Sequence, residues 1–159
     1  MTTYLAVGTR PWNRAIFNTS ISFFPGNWYY VETLDALREY LSLSPRYIFF
    51  LHWSDYVPAD IYEEYECVVF HPSHLPYGRG GSPIQNLIAR GYTYTQVTAF
   101  RMVKELDAGP IYLTRTLSLD GKAQDIFERE MLLAAGMIWR IISDDIEPQP
   151  QRGEIVKFK

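Results

Sequence analysis

Two rhythms of apolar and polar positions alternate along the chain. Thr3-Tyr-Leu-Ala-Val7 is a short apolar run, and it ends at Gly8-Thr-Arg-Pro11, a turn whose proline suits the opening of a helix through Arg14 to Phe17. Trp28-Tyr-Tyr-Val31 is rich in strand formers. Thr33 then precedes Leu34, Leu37, Arg38 and Leu41 at helical spacing, with the threonine placed as a cap. Tyr47-Ile-Phe-Phe-Leu51 is continuously apolar, as in a strand buried on both faces. A short helix is expected from Pro58 to Glu64, followed by a second buried strand, Cys67-Val-Val-Phe70, that delivers His71 at its end.

The second half repeats the pattern. Ser82-Pro83 opens a helix through Ala89, stopped by Gly91. Thr93 to Met102 and Ile111 to Leu119 read as paired strands joined through Asp107-Ala-Gly-Pro110. Ala123 to Ile142 is the longest helical pattern, with Ile126, Phe127, Met131, Leu132, Ala135, Ile138, Trp139 and Ile142 apolar. The tail carries Pro148, Pro150 and Gly153 before a short edge strand at Ile155-Val-Lys-Phe158. Tyr77-Gly-Arg-Gly-Gly81 reads as a flexible loop, and no Lys-Ser/Thr pair follows to make it a phosphate loop. Strands alternating with helices predict an α/β fold with an open, mostly parallel, doubly wound, Rossmann-like sheet. The length, 159 residues, is that of a single domain spanning 1–159.

Composition narrows the chemistry. The net charge of −3 argues against a nucleic-acid surface, which is usually basic. The single cysteine, Cys67, excludes intrachain disulfides and a cysteine zinc cluster. His52, His74 and Asp55 are capable of metal ligation, but none of them pair at helical ligand spacing, so no metal is expected. No charged segment precedes an apolar run at the N-terminus and no run reaches membrane-spanning length, so a cytoplasmic location without membrane contact is expected. Aromatic residues make up 16% of the chain, and many fall between Phe23 and Tyr65. Core packing is the favoured reading of that cluster, against a stacking platform for a pterin or nucleobase.

The chemistry-bearing stretch is His71-Pro-Ser-His-Leu-Pro76-Tyr-Gly-Arg79-Gly-Gly-Ser-Pro83-Ile-Gln85, followed by Leu106-Asp107-Ala-Gly109-Pro110-Ile. An imidazole and a carboxylate near two sharp loops suit acyl transfer, because one moves a proton and the other fixes its tautomer and charge. The order of these parts resembles the formyltransferase family, whose members move a formyl group from N10-formyltetrahydrofolate to an amine. His71, Ser73, Leu75, Pro76, Arg79, Gly80, Pro83, Ile84, Asp107 and Gly109 all fall in register with its signature. One signature residue departs: Val69 stands where the family carries an asparagine that holds the formyl oxygen.

The resemblance implies His71 and Asp107 as the catalytic residues, and a donor site of Ser73, Leu75, Pro76, Met102, Val103, Leu106 and His52. His52, Ser54 and Gln85 are candidates to replace the missing amide, and on that basis Val69→Asn is expected to lower activity. The loops after three strands, at Gly8-Thr-Arg10, His52-Trp-Ser54 and His71-Pro-Ser73, are expected to converge on a crevice beyond the strands' carboxyl ends. Arg10 and Arg14 at a helix start suit a phosphate. Arg79 is either a structural ion pair or, like Gln85, a substrate contact. The compact acidic chain is most similar to the small sugar N-formyltransferases of bacterial surface-sugar (nonulosonic acid) biosynthesis, and its charge counts against the tRNA-acting branch. The acceptor implied is a nucleotide-linked amino sugar, with no nucleic acid, and self-association as a homodimer is left open. Another small amine or amino acid as acceptor, water as acceptor, and a non-catalytic folate- or nucleotide-binding domain are the alternatives.

Overall fold

The computed structural model describes residues 1–159. Five strands and three helices open the chain in the order β1 (Thr3–Val7), α1 (Pro11–Thr19), β2 (Asn27–Val31), α2 (Leu34–Tyr40), β3 (Tyr47–Phe50), α3 (Ala59–Tyr62), β4 (Cys67–His71) and β5 (Tyr77–Gly80). They are followed by α4 (Pro83–Ala89), β6 (Tyr94–Arg101), β7 (Ile111–Ser118), α5 (Ala123–Asp144) and β8 (Val156–Phe158). Thr33 caps α2 as its position predicts, its hydroxyl accepting from the Ala36 N–H at 3.0 Å. Such a cap contributes about 1 kcal/mol.

The main sheet has six strands in the order β2-β1-β3-β4-β6-β7. The first four are mutually parallel, β6 runs antiparallel to β4, and β7 runs antiparallel to β6. The expected open, mostly parallel sheet is therefore what forms. Alternate residues of the strands feed two cores, as a pleated strand requires. One face places Tyr4, Ala6, Phe49, Val68 and Phe70 beneath α1, α4 and α5, and the other places Leu5, Val7, Ile48, Phe50 and Cys67 beneath α2 and α3.

One element departs from the sequence reading. Tyr77–Gly80, expected as a flexible loop, is a strand that pairs in parallel with β8 in a separate two-stranded sheet. Gly78 and Gly80 adopt φ of +84° and +104°, in the region that favours glycine. A β-propensity reading has no means of scoring such a strand. Of the clustered aromatics, Trp28, Tyr47 and Phe49 stack through the first core together with Tyr4 and Phe70, as the packing reading requires.

Candidate functional site

The sheet itself brings His71 and Asp107 together. Val69 and His71 lie on the same side of β4 as Cys67, but α2 and α3 cover only the Cys67 end. The Met102 N–H donates to the Cys67 carbonyl at 2.8 Å, so β6 ends beside the first residue of β4. Asp107 nonetheless approaches His71, the last residue of β4, with Oδ2 3.8 Å from Nδ1. The β6–β7 connection therefore folds back from the Cys67 end of β4 toward its His71 end. The two residues meet at the carboxyl end of β4, on the side of the sheet that carries Cys67.

Backbone geometry shapes that connection. Asp107 has φ +55°, a left-handed conformation that aspartate tolerates better than most residues. A Cβ on Gly109 would run into the Arg101 carbonyl oxygen, so the hairpin can close this tightly only with glycine there. These two demands account for the Asp-x-Gly spacing in physical terms.

Hydrogen bonds fix the state of the pair. The His71 Nε2 atom lies 2.8 Å from the Gly78 carbonyl oxygen. A carbonyl only accepts, so Nε2 carries the proton, and in neutral His71 the lone pair sits on Nδ1, facing Asp107. On the other side the Gly80 N–H donates to Asp107 Oδ2 at 2.8 Å. Two acceptors thus face each other, and a proton or donor placed between them satisfies both. His71 is 8% exposed, so water screens the pair weakly.

The sequence profile of the formyl transferase family matches residues 32–126, a span that includes both members of the pair. The chain belongs to the formyl transferase family. The methionyl-tRNA formyltransferase of Lactobacillus delbrueckii subsp. bulgaricus is 33% identical over 134 residues, which are 78% of this chain and 42% of that protein. The corresponding enzyme of Thermodesulfovibrio yellowstonii is 31% identical over 127 residues, 75% of this chain and 41% of its own length. The chain thus spans about two fifths of these curated relatives. Among solved structures, methionyl-tRNA formyltransferase from Clostridium thermocellum superimposes with a TM-score of 0.91 at 36% identity, covering 99% of this chain and 72% of that one. The formyltransferase PseJ from Anoxybacillus kamchatkensis shares the fold with a TM-score of 0.74 at 18% identity, covering 98% of this chain and 85% of that one.

The remaining formyl transferase positions fall into groups. Ser73 is fully buried, with its hydroxyl donating to the Gly78 carbonyl and its own carbonyl accepting from Thr98. Leu75 and Pro76 are buried as well, so these three hold the loop and present little surface to a ligand. Met102 packs beside the α2–α3 core, whereas Val103 and Leu106 stand 36% and 71% exposed next to Asp107, an apolar lip on the connecting segment.

The structure directs His52 away from the pair. Its Nδ1 atom accepts from Trp12 Nε1 at 2.7 Å, and Nε2 donates to Glu130 at 2.9 Å, both on helices of the opposite layer. His52 therefore does not replace an amide at Val69. Ser54 and Gln85 are exposed and make none of the bonds that hold His71 or Asp107. Arg10 is exposed at the start of α1, and Arg14 is turned onto the Tyr30 ring and toward Glu32 at 3.4 Å. Arg79 is buried; it bonds Gln151 and lies 3.8 Å from Glu105, which favours its structural reading. No three His, Cys, Asp or Glu side chains converge to hold a metal ion, and no helix is long and apolar enough to cross a membrane.

Sequence reasoning gave no role to Gly78, to Gly80, which it placed only in the family signature, or to Gln151. The first two act through backbone atoms, and glutamine in a tail carries no signal of its own.

Proposed function

We propose that the chain transfers a formyl group from a folate-derived donor, N10-formyltetrahydrofolate, to an amine. The observation that carries this reading is the His71 Nδ1–Asp107 Oδ2 pair, with its tautomer set by the Gly78 carbonyl. When bound, the donor supplies an activated formyl carbon: the amine nitrogen bonds to it, the bond to N10 breaks, and one proton passes from the amine to N10. His71 Nδ1, backed by Asp107, is placed to take that proton and return it. Once protonated, the same nitrogen is a donor for the carbonyl oxygen as its charge develops. Val103 and Leu106 offer an apolar lip suited to a planar ring beside the reacting carbon. No step requires a metal.

For the acceptor we favour a nucleotide-linked amino sugar. The net charge of −3 is unfavourable for a polyanion the size of tRNA. The fold neighbour PseJ is solved in complex with UDP-4,6-dideoxy-4-formamido-L-AltNAc and tetrahydrofolate, and that acceptor class is carried over as part of the proposal. A second reading, methionyl-tRNA, is favoured by the relatives at 31–36% identity that act under that name.

The deciding experiment supplies N10-formyltetrahydrofolate with a panel of aminated nucleotide sugars and, in parallel, charged initiator tRNA, and reads products by mass. A sugar product heavier by one formyl group supports the favoured acceptor, and formyl-methionine supports the second. Tetrahydrofolate binding without turnover of any amine leaves a non-catalytic binding domain.

A further inference from the structure

The backbone groups that hold His71 and Asp107 lie on β5, and β5 has only β8 as its strand partner. Gly78 supplies the carbonyl for His71, and Gly80 supplies the N–H for Asp107. The tail that contains β8 is also tied to the Asp107 hairpin. Gln149 and Ile111 exchange two backbone hydrogen bonds, at 2.7 and 2.8 Å.

Gln151 then bridges the two loops. Its Nε2 atom donates to the carbonyls of Asp107 at 2.8 Å and Gly109 at 2.9 Å. Its Oε1 atom accepts from Arg79 Nε at 3.3 Å and a terminal guanidinium nitrogen at 2.9 Å. A side-chain amide offers two donor hydrogens and two acceptor lone pairs, and here all four are engaged. Asp107 is gripped at both ends, through its carbonyl by Gln151 and through its carboxylate by Gly80. Its left-handed φ of +55° is a conformation that persists where the surroundings over-determine it.

We infer that Gln151 is a positioning residue for the His71–Asp107 pair, and that Gln149–Phe158 acts as a strap that sets the pair's geometry. The kinetic part of this inference rests on the formyl-transfer reading, whereas the geometric part does not. The strap lies outside the residues that match the family profile, which end at 126. A displacement of about 1 Å at a reacting group can lower a rate by about a hundredfold, so a remote clamp of this kind has kinetic weight.

The test is Gln151→Leu, which removes all four bonds, beside Gln151→Glu, which keeps the Arg79 contact but cannot donate to the two carbonyls. Hydrogen exchange at the Gly80 amide reports whether Asp107 still accepts from it. In both variants we expect that exchange to quicken by at least about tenfold, with the thermal midpoint within about 4 °C of the parent. We expect kcat to fall about thirtyfold while the KM of the formyl donor stays within about threefold. Unchanged Gly80 exchange or kcat within twofold overturns the inference. So does a parallel collapse of KM, kcat and thermal midpoint, or failure of both variants to fold, since these indicate a merely structural role. If the parent chain forms no formylated product, the transfer reading fails, and Gly80 exchange still decides the clamp.

Discussion

The Nδ1 atom of His71 faces Oδ2 of Asp107 at 3.8 Å, while the far nitrogen of the ring is committed to the Gly78 carbonyl. That spacing is too long for a direct hydrogen bond and right for a shared proton donor between two acceptors. The pair is therefore complete only when a third group enters, which suits a step in which an amine arrives carrying the proton.

Replacing either member should remove the relay. His71→Ala and Asp107→Asn are each expected to lower kcat by at least about a hundredfold, and the double variant by little more than either alone, because the two act as a unit. Asn retains an acceptor for the Gly80 N–H, so the folded state should survive. Near-normal turnover in either single variant, measured at saturating donor and acceptor, removes that residue from the chemistry.

Val69 is partly exposed beside His71, and of the three candidates to replace the missing amide, His52 is engaged in the opposite layer while Ser54 and Gln85 are exposed and unbonded to the pair. With none of the three bonded to the pair, the outcome expected here is opposite in sign to that expected from sequence. Val69→Asn should add a donor on the cleft side and raise kcat by about tenfold. A kcat at or below that of the parent chain would show that another group already serves the oxygen.

The His52 network is structural. His52 ties the half-buried Trp12 side chain to Glu130, and Glu130 is fully buried with Oε2 lacking a partner. His52→Ala leaves a buried carboxylate without its donor, and unfolding in urea should show a loss of about 3 kcal/mol. Turnover of the folded variant should hold within about threefold of the parent, in contrast to His71→Ala. A stability loss below about 0.5 kcal/mol would contradict the network's role.

Alkaline pH should weaken the fold. Burial pushes the Cys67 thiol from 9.0 up to about 12, and burial likewise raises Tyr47 from 10.0 to about 12. Tyr112 is raised too, by burial and by its hydrogen bond to Glu66. Each group is neutral in the folded state where the unfolded chain would ionise. Their contribution is fully present below pH 9.0 and is lost as pH climbs toward about 12. Denaturant midpoints should fall across that window, and Cys67→Ala should flatten the part of the fall that begins near 9.0. Midpoints constant from pH 8 to 11, or an equally steep fall in Cys67→Ala, would contradict this.

Local signals in the sequence were enough for the strands and helices of the main sheet. The Tyr47–Leu51 and Cys67–Phe70 runs are apolar because both faces are covered, and Thr33 caps because a hydroxyl there reaches the Ala36 N–H. His71 and Asp107 were singled out through the resemblance of the stretches that carry them to the family signature, and the structure brings the two within 3.8 Å, with a left-handed aspartate and an obligatory Gly109 at that spacing.

What the sequence determined by itself is which side chains are available and which elements carry them. Only the tertiary structure decided where they meet. It folded the β6–β7 connection back toward His71, turned His52 into the opposite layer, and made a strand of Tyr77–Gly80. It also set Gln151 against the carbonyls of Asp107 and Gly109. Each of these depends on backbone groups or on partners far apart in the chain, and periodicity and propensity are blind to both.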